Sequence, residues 1–271
     1  MTRGRCGAAV ACGLALTAAA IAASGEAGDA SRPAGDASRP AGDVTLPSVY
    51  QYALGNAAPE GAFTLPQRLA AGRGGEVLLT DAASHRVQVH DASGAFVRSW
   101  GSFGTAEGKF SFPDGIAVDA AGRVVVADRG NERVQVFDGT GRMLDVWREY
   151  DDPEHPGRAR PLRPTDVAAA PGGDILVADW YDSRVLRFSA SGTLVSSWGG
   201  GGTEPGRFVG LTGLAVGDDR RVFTVEWGSD RVQVFDLEGT LLDVWRPGQG
   251  TDIDARGDRV YVAGGKLFGV R

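Results

Sequence analysis

Two polar turns of this chain carry aromatic rings for which a turn has no evident use. In "DWYDSR", residues 179–184, Trp180 and Tyr181 stand side by side, and in "EWGSDR", residues 226–231, Trp227 takes the place matching Trp180. Flat rings on a polar loop can stack on a sugar, a peptide or a cation. Arg129, in the like-placed "DRGNER" of residues 128–133, adds a positive charge, and Arg68, Asp166 and Asp252 are further charged candidates. Metal binding is the second chemistry to consider. "DDPEH" sets Asp151, Asp152, Glu154 and His155 close together, oxygen ligands of the sort Ca2+ takes, but without the glycine-turned regularity of a dedicated loop. Catalytic zinc needs about three nitrogen or oxygen ligands converging on an open position. The three histidines are His85 in a turn, His90 at a strand end and His155 in a long loop, which does not let them converge. No Ser/His/Asp constellation is visible, and "GGGGTEPG" at 199–206 has no following helix to make it a phosphate cradle. No catalytic residue, metal ligand or cofactor is therefore assigned.

Composition narrows the partners. A net charge of -6 and a pI near 5.2, with Lys109 and Lys266 as the only lysines, leave no basic stripe for nucleic acid. The start has Arg3 and Arg5, an apolar run of small residues and A-x-A-like sites near Ala20 to Gly25. It reads as a signal peptide over 1–25 and an exported chain, periplasmic or extracellular, with an uncleaved membrane anchor as the alternative. The mature chain, with no further apolar span, is expected to be a monomer with no stable membrane insertion. Both cysteines, Cys6 and Cys12, fall inside this segment, so the rest can form no disulfide. Residues 26–43 hold the twice-used unit of "AGDASRPAGDASRPAGD", which has nothing to bury and reads as a disordered tether. The foldable part is 44–271.

An internal period must position the candidate residues. Arg86, Arg133, Arg184 and Arg231 lie 47, 51 and 47 residues apart. An acid stands five residues before each (Asp81, Asp128, Asp179, Glu226), a glycine eight after (Gly94, Gly141, Gly192, Gly239) and a tryptophan fourteen after (Trp100, Trp147, Trp198, Trp245). Within a unit, short Val-rich runs alternate with Gly, Asp, Asn and Ser turns, giving four antiparallel strands, A to D. One such sheet cannot bury both faces, so the units must stack around an axis as an all-β propeller. "TDIDARGDRVYVAGGKLFGVR" at 251–271 supplies strands A to C of a further blade, and "VTLPSVYQYALG" at 44–55 supplies a lone strand D to close it. Five blades are counted, six being the alternative.

The fullest unit, "F-x-F-P-D-G-I-A-V-D-x-x-G-R-V-V-V-A-D-R-G-N-E-R-V-Q-V-F-D-x-x-G" at 110–141, resembles the NHL-repeat family, and weaker copies span about 61 to 264. The resemblance implies a propeller, usually of six blades, and brings with it amidating lyases that hold zinc through histidines from several blades. In a related propeller group there are metal-dependent lactonases.

The repeated residues read as structure. Asp81 with Arg86, Asp128 with Arg133, Asp179 with Arg184 and Glu226 with Arg231 are expected to form bidentate ion pairs that pin each B–C turn, and the four strand D tryptophans to pack between blades. The unrepeated residues read as function: Trp180 and Trp227 correspond to Ala82 and Arg129 in the other copies. B–C and D–A loops share one end of a propeller, so Trp180, Tyr181, Trp227 and Arg129 should meet there. Arg68, Asp166 and Asp252 should line the channel, where other blades have Gly115 and Gly213. The expected function is a binding or scaffold module for a protein or glycan ligand on that face; the alternative is a metal- or carboxylate-dependent lyase or hydrolase at the channel mouth.

Overall fold

β-Branched runs bounded by glycine and aspartate turns pair as hairpins, and each repeat unit folds into one antiparallel sheet. The computed structural model describes residues 61–247, 250–257, 259–263 and the backbone of 268–269. The expected signal peptide, tether and closing strand at 44–55 lie outside the described residues. The first sheet comprises strands Pro66–Ala71, Val77–Asp81, Arg86–His90 and Phe96–Trp100. The second has Ile116–Val118, Val124–Asp128, Arg133–Phe137 and Met143–Trp147; the third, Pro164–Ala169, Ile175–Asp179, Arg184–Phe188 and Leu194–Gly199; the fourth, Leu211–Val216, Val222–Glu226, Arg231–Phe235 and Leu241–Trp245. Asp252–Arg256, Arg259–Ala263 and Phe268–Gly269 make a three-stranded fifth sheet among the described residues. First strands of successive sheets neighbour one another, so the sheets are blades of a β-propeller with strand A innermost. Among the described residues no helix is long and apolar enough to cross a membrane.

Apolar clusters fill the seams between blades, for example Val87, Val89, Phe110, Val126 and Phe137 between the first and second. The repeated glycine and the repeated tryptophan turn out to be two sides of one contact. Gly141, Gly192 and Gly239 sit in C–D turns with φ of 91°, 80° and 88°, a region open to glycine at little cost. Each also lies under the tryptophan of the preceding blade: a Cβ on Gly141 or Gly239 would stand 2.7 Å from the indole of Trp100 or Trp198, and one on Gly192 would strike Trp147. The same three indoles pack on Phe137, Phe235 and Phe188 of the next blade, at 5.8, 6.0 and 5.3 Å between ring centres.

The repeated acid and arginine hold more than their own turn. Arg133 Nε donates to Asp128 at 2.7 Å with both side chains buried, and Arg231 Nε to Glu226 at 2.6 Å. These contacts use one carboxylate oxygen and are not bidentate. The remaining guanidinium donors reach back 24 to 28 residues to the incoming D–A loop: Arg133 to the carbonyls of Thr105, Ala106 and Lys109, Arg231 to those of Thr203 and Arg207. The acids take N–H groups at the end of the same loop, Ser111 at Asp128 and Val209 at Glu226. The glutamine two residues on completes the clasp: Gln135 joins Lys109 O, Gly108 N and Asp128, and Gln233 joins Arg207 O, Gly206 N and Glu226.

Two pairs depart from expectation. Arg86 Nε stands 3.8 Å from Asp81 without a hydrogen bond, its Nη2 donating instead to Ala62 O. Arg184 makes no pair with Asp179 and turns to Glu154 of the long D–A loop. That unit has Leu186 where the others have glutamine, and its loop has a different course, so the clasp has nothing to close on. Asp179 accepts N–H groups from Arg163, Tyr181 and Asp182 instead, and burial holds its carboxyl above the ordinary range. Removing one member of a buried pair strands its partner. Arg133→Ala should therefore cost about 3 to 5 kcal/mol in urea unfolding, against less than about 1 kcal/mol for Arg184→Ala, whose partner Glu154 is half exposed; equal costs would show the clasp to be dispensable.

Candidate functional site

At the inner end of the blades, strand A brings one residue per blade to the axis: Arg68, Gly115, Asp166, Gly213 and Asp252 in ring order. The two glycines admit their neighbours. A Cβ on Gly115 would lie 2.5 Å from Asp166 Cα, and one on Gly213 3.3 Å from Asp252 Cα. Arg68, Asp166 and Asp252 do come together there. Arg68 Nη1 lies 3.2 Å from Asp252, its Nε lies 3.9 Å from Asp166 and 4.0 Å from Asp114, and Nη2 donates to Thr212 O at 2.9 Å and Thr251 O at 3.3 Å. One guanidinium from the first blade thus touches all four others.

The sequence reading assigned this trio to ligand contact; the structure engages its members with one another. Asp166 is buried, and its two oxygens accept the N–H groups of Val167 and Leu214, while Asp252 accepts that of Ile253. Burial drives the Asp166 carboxyl up to about 8, Arg68 opposing the shift and Asp252 adding to it. Burial raises Asp252 and Asp114 as well, with Arg68 pulling both down. Burial works against the charge of Arg68, yet Asp166, Asp252 and Asp114 outweigh it and hold that side chain above its ordinary value.

The B–C and D–A loops frame this hub. Trp180, Tyr181 and Trp227 are 45%, 62% and 69% exposed, so none of them fills a core. Trp180 and Tyr181 meet edge to face at 5.9 Å; Arg129 lies 5.9 Å from the Trp180 ring centre and Arg163 4.1 Å from that of Tyr181. Arg129 also reaches Asp114 at 3.3 Å and Arg163 reaches Glu132 at 3.3 Å. The result is a chain of contacts from the hub outward through Asp114, Arg129, Trp180, Tyr181, Arg163 and Glu132. Trp227 stands apart from these contacts, beside Gly210 of its own blade.

Sequence reasoning missed Asp114, Arg163 and a second exposed group, Leu65, Phe103 and Phe112. Phe103 and Phe112 correspond to Gly201 and Gly210 in the fourth unit, the same kind of surplus over the repeat that singled out Trp180.

The long D–A loop that carries "DDPEH" forms a two-stranded hairpin of Glu149–Asp151 with Ala159–Pro161, anchored in the core by Tyr150 and Leu162. Asp152, Glu154 and His155 bring ligand atoms within 4.8 Å of one another. Cations of the chain already take both acids: Arg160 lies 3.7 Å from Asp152 and Arg184 pairs with Glu154. The histidine-held zinc of the lyases finds no fitting donor set among the described residues. His85 Nδ1 accepts the Phe112 N–H at 3.0 Å, the buried His90 lies 3.1 Å from Gly94 O, and His155 lies 3.0 Å from Asp152.

Residues 110–137 and 162–188 match the NHL repeat. The fold is similar to virginiamycin B lyase from Staphylococcus aureus, at 16% identity over 73% of this chain and 62% of that one, TM-score 0.55. A chain of a mitotic checkpoint complex is similar at 12% identity, 75% and 61% coverage and TM-score 0.53, and one of a nidogen/laminin complex at 14%, 71% and 68%, TM-score 0.52. This chain thus spans less than two thirds of the lyase's length, and at these identities the likeness is one of fold. No curated protein matches it in sequence. The class is that of all-β propellers, and the two matched stretches make this a propeller carrying NHL repeats.

The hub has a signature in solution. An ordinary aspartate titrates near about 3.9, so between about pH 4 and 8 the folded chain keeps a proton on Asp166 that the unfolded chain gives up. Stability must fall as pH rises through that window. The urea midpoint should drop between pH 5 and pH 8.5, and Asp166→Asn should remove most of the slope; an unchanged slope in the variant would place the proton elsewhere.

Proposed function

We propose that the chain is an exported binding module that recognises a protein or glycan ligand on the face formed by its B–C and D–A loops. Trp180, Tyr181 and Trp227 supply the stacking surface, and Arg129 supplies charge. Arg68, Asp166 and Asp252 act from beneath, as the hub that fixes the loops, with Asp252 the member left partly open. The observation that carries the reading is the exposure of three large aromatic side chains at turn positions where other repeats hold smaller or charged residues. Exposed aromatics beside arginine are the usual makings of a binding hot spot. The propellers of the mitotic checkpoint and nidogen/laminin complexes, both seen in assemblies, lend it support.

A lyase or hydrolase at the channel mouth, the reading favoured by the virginiamycin B lyase likeness, would rest on Asp166 and Asp252. Asp166 is buried with a backbone N–H on each oxygen and Asp252 is paired with Arg68, an arrangement that favours a structural hub over a pair of catalytic acids. Replacing Trp180 and Trp227 together by alanine should weaken retention of partners from the exported compartment by roughly thirty-fold, the equivalent of about 2 kcal/mol for central aromatic contacts. Thermal stability should stay nearly unchanged. A large drop in melting temperature would show the two rings to be core, and full retention by the variant would end the proposal.

A further inference from the structure

Between the first two blades the same face holds a cavity of about 380 Å3 with a chemistry of its own. Leu65, Ala82, Phe112 and Pro113 make its apolar walls, and Gln67, Asp114 and Arg129 bring polar groups to it. Leu65 and Phe112 are about half exposed, so the fold does not use their surfaces.

Phe112 holds its ring there against a backbone cost. Its φ is 48°, a region bulky residues avoid, and the matching residue of the fourth blade is Gly210 at 71°. His85 supports it, Nδ1 accepting the Phe112 N–H at 3.0 Å while its ring stands edge-on to Phe112 at 4.8 Å and tilted against Phe103 at 4.9 Å. Phe112, His85 and Phe103 thus form a continuous aromatic ledge that meets the cavity at Phe112.

The cation at the opposite wall is underused. Arg129 has five N–H donors, spends one on Asp114 at 3.3 Å, and its side chain is 51% exposed. Asp114 is shared with Arg68 at 4.0 Å, so a single carboxylate lies between two guanidiniums. The contrast with Arg133, four of whose donors go to Asp128 and loop carbonyls, shows what a purely structural arginine looks like here. The Gln67 side-chain amide has no partner among the described residues.

We propose that this cavity is a peptide subsite that takes an aromatic or branched apolar side chain between Leu65, Ala82, Phe112 and Pro113, with an adjacent carboxylate on Arg129. The inference rests on the reading of this face as a binding surface and names the ligand chemistry of one part of it. A volume near the lower end of ligand pockets suits one large side chain and its neighbouring backbone. Apolar walls facing a guanidinium with most of its donors unspent match a carboxylate beside a hydrophobe better than the hydroxyl-rich surface of a sugar. The carboxylate can come from a chain terminus or from an Asp or Glu side chain.

Three probes separate these sources on the 15N-labelled full chain: N-acetylphenylalanine, N-acetyl-Phe-Glu-amide, and N-acetylphenylalaninamide as the uncharged control. At least one of the first two should shift the amides of Ala82, Gly130 and the Gln67 side chain saturably and bind at least about ten-fold more tightly than the control. Preference for the first indicates a terminal carboxylate, preference for the second a side-chain one. Arg129→Gln should erase the advantage over the control. Phe112→Gly, which relieves the backbone and keeps the fold, should weaken the bound probe, and Leu242→Ala, on the outermost strand of the fourth blade, should leave it unchanged. Equal binding of the uncharged control, or an unaltered preference in Arg129→Gln, would overturn the subsite, as would cavity shifts produced by N-acetylchitotriose in place of the carboxylate probes. None of these outcomes bears on partner retention by the Trp180/Trp227 variant, so the subsite and the wider reading fail separately.

Discussion

A carboxylate sealed inside a protein must have its oxygens bonded, and Asp128 and Glu226 meet that requirement by gripping the chain that enters their own blade. Arginine from strand C, glutamine two residues on, and the loop's own N–H and carbonyl groups complete the set. A buried ion pair is a poor source of net stability, because desolvation consumes most of the attraction. Its value here is geometric. A D–A loop with few apolar side chains to bury is fixed at several carbonyls at once, and the side chains on its outer surface inherit that rigidity. The third unit shows the converse: without the glutamine, Arg184 leaves Asp179, and a hairpin with its own apolar anchors, Tyr150 and Leu162, takes over the positioning.

At the axis the repeat is broken on purpose of charge rather than of packing. Five equivalent positions hold Arg, Gly, Asp, Gly and Asp; at Gly115 the adjoining Asp166 backbone leaves no room for a Cβ, and at Gly213 one would crowd Val225 and Asp252. Two guanidiniums, Arg68 and Arg129, face three carboxylates, Asp114, Asp166 and Asp252. The proton that burial holds on Asp166 up to about pH 8 brings that set to balance near neutrality. A symmetrical ring of five acids or five glycines would give either mutual repulsion or an empty channel. The asymmetry lets one side chain from the first blade join the remaining four.

The architecture was legible because it is periodic. Acid, arginine, glycine and tryptophan each recur at fixed offsets, and in the second and fourth units the acid and arginine form the clasp, while glycine and tryptophan make turn and seam. What the spacing could not give was the partner. Glycine and tryptophan sit in one unit of sequence but touch across two units of structure, Gly141 under Trp100. The arginine's true acceptors are carbonyls, which leave no mark on side-chain patterns, so its bond to the acid was overdrawn as bidentate. Of the candidate site, the exposure of Trp180 and Trp227 followed from their being surplus to the repeat. Asp114 and Phe112 were hidden inside the best-matching copy of the motif, where conformity to the pattern drew attention away from them.

The exposed apolar side chains carry the functional argument further than their number does. Among the described residues, Val97, Leu144, Val195 and Leu242 are exposed three residues before each strand D tryptophan, one per blade, on the outermost strand. Repetition at fixed phase marks these as a property of the blade itself. Leu65, Phe103, Phe112, Trp180, Tyr181 and Trp227 do not recur in every blade, and all six lie in B–C turns or D–A segments, at one end of the ring. Folding gains little from an exposed ring, and at Phe112 it gives up backbone freedom to hold one. Leaving apolar surface in water at one end of the ring, on loops that buried carboxylates hold still, is what recognition of another molecule asks of a scaffold.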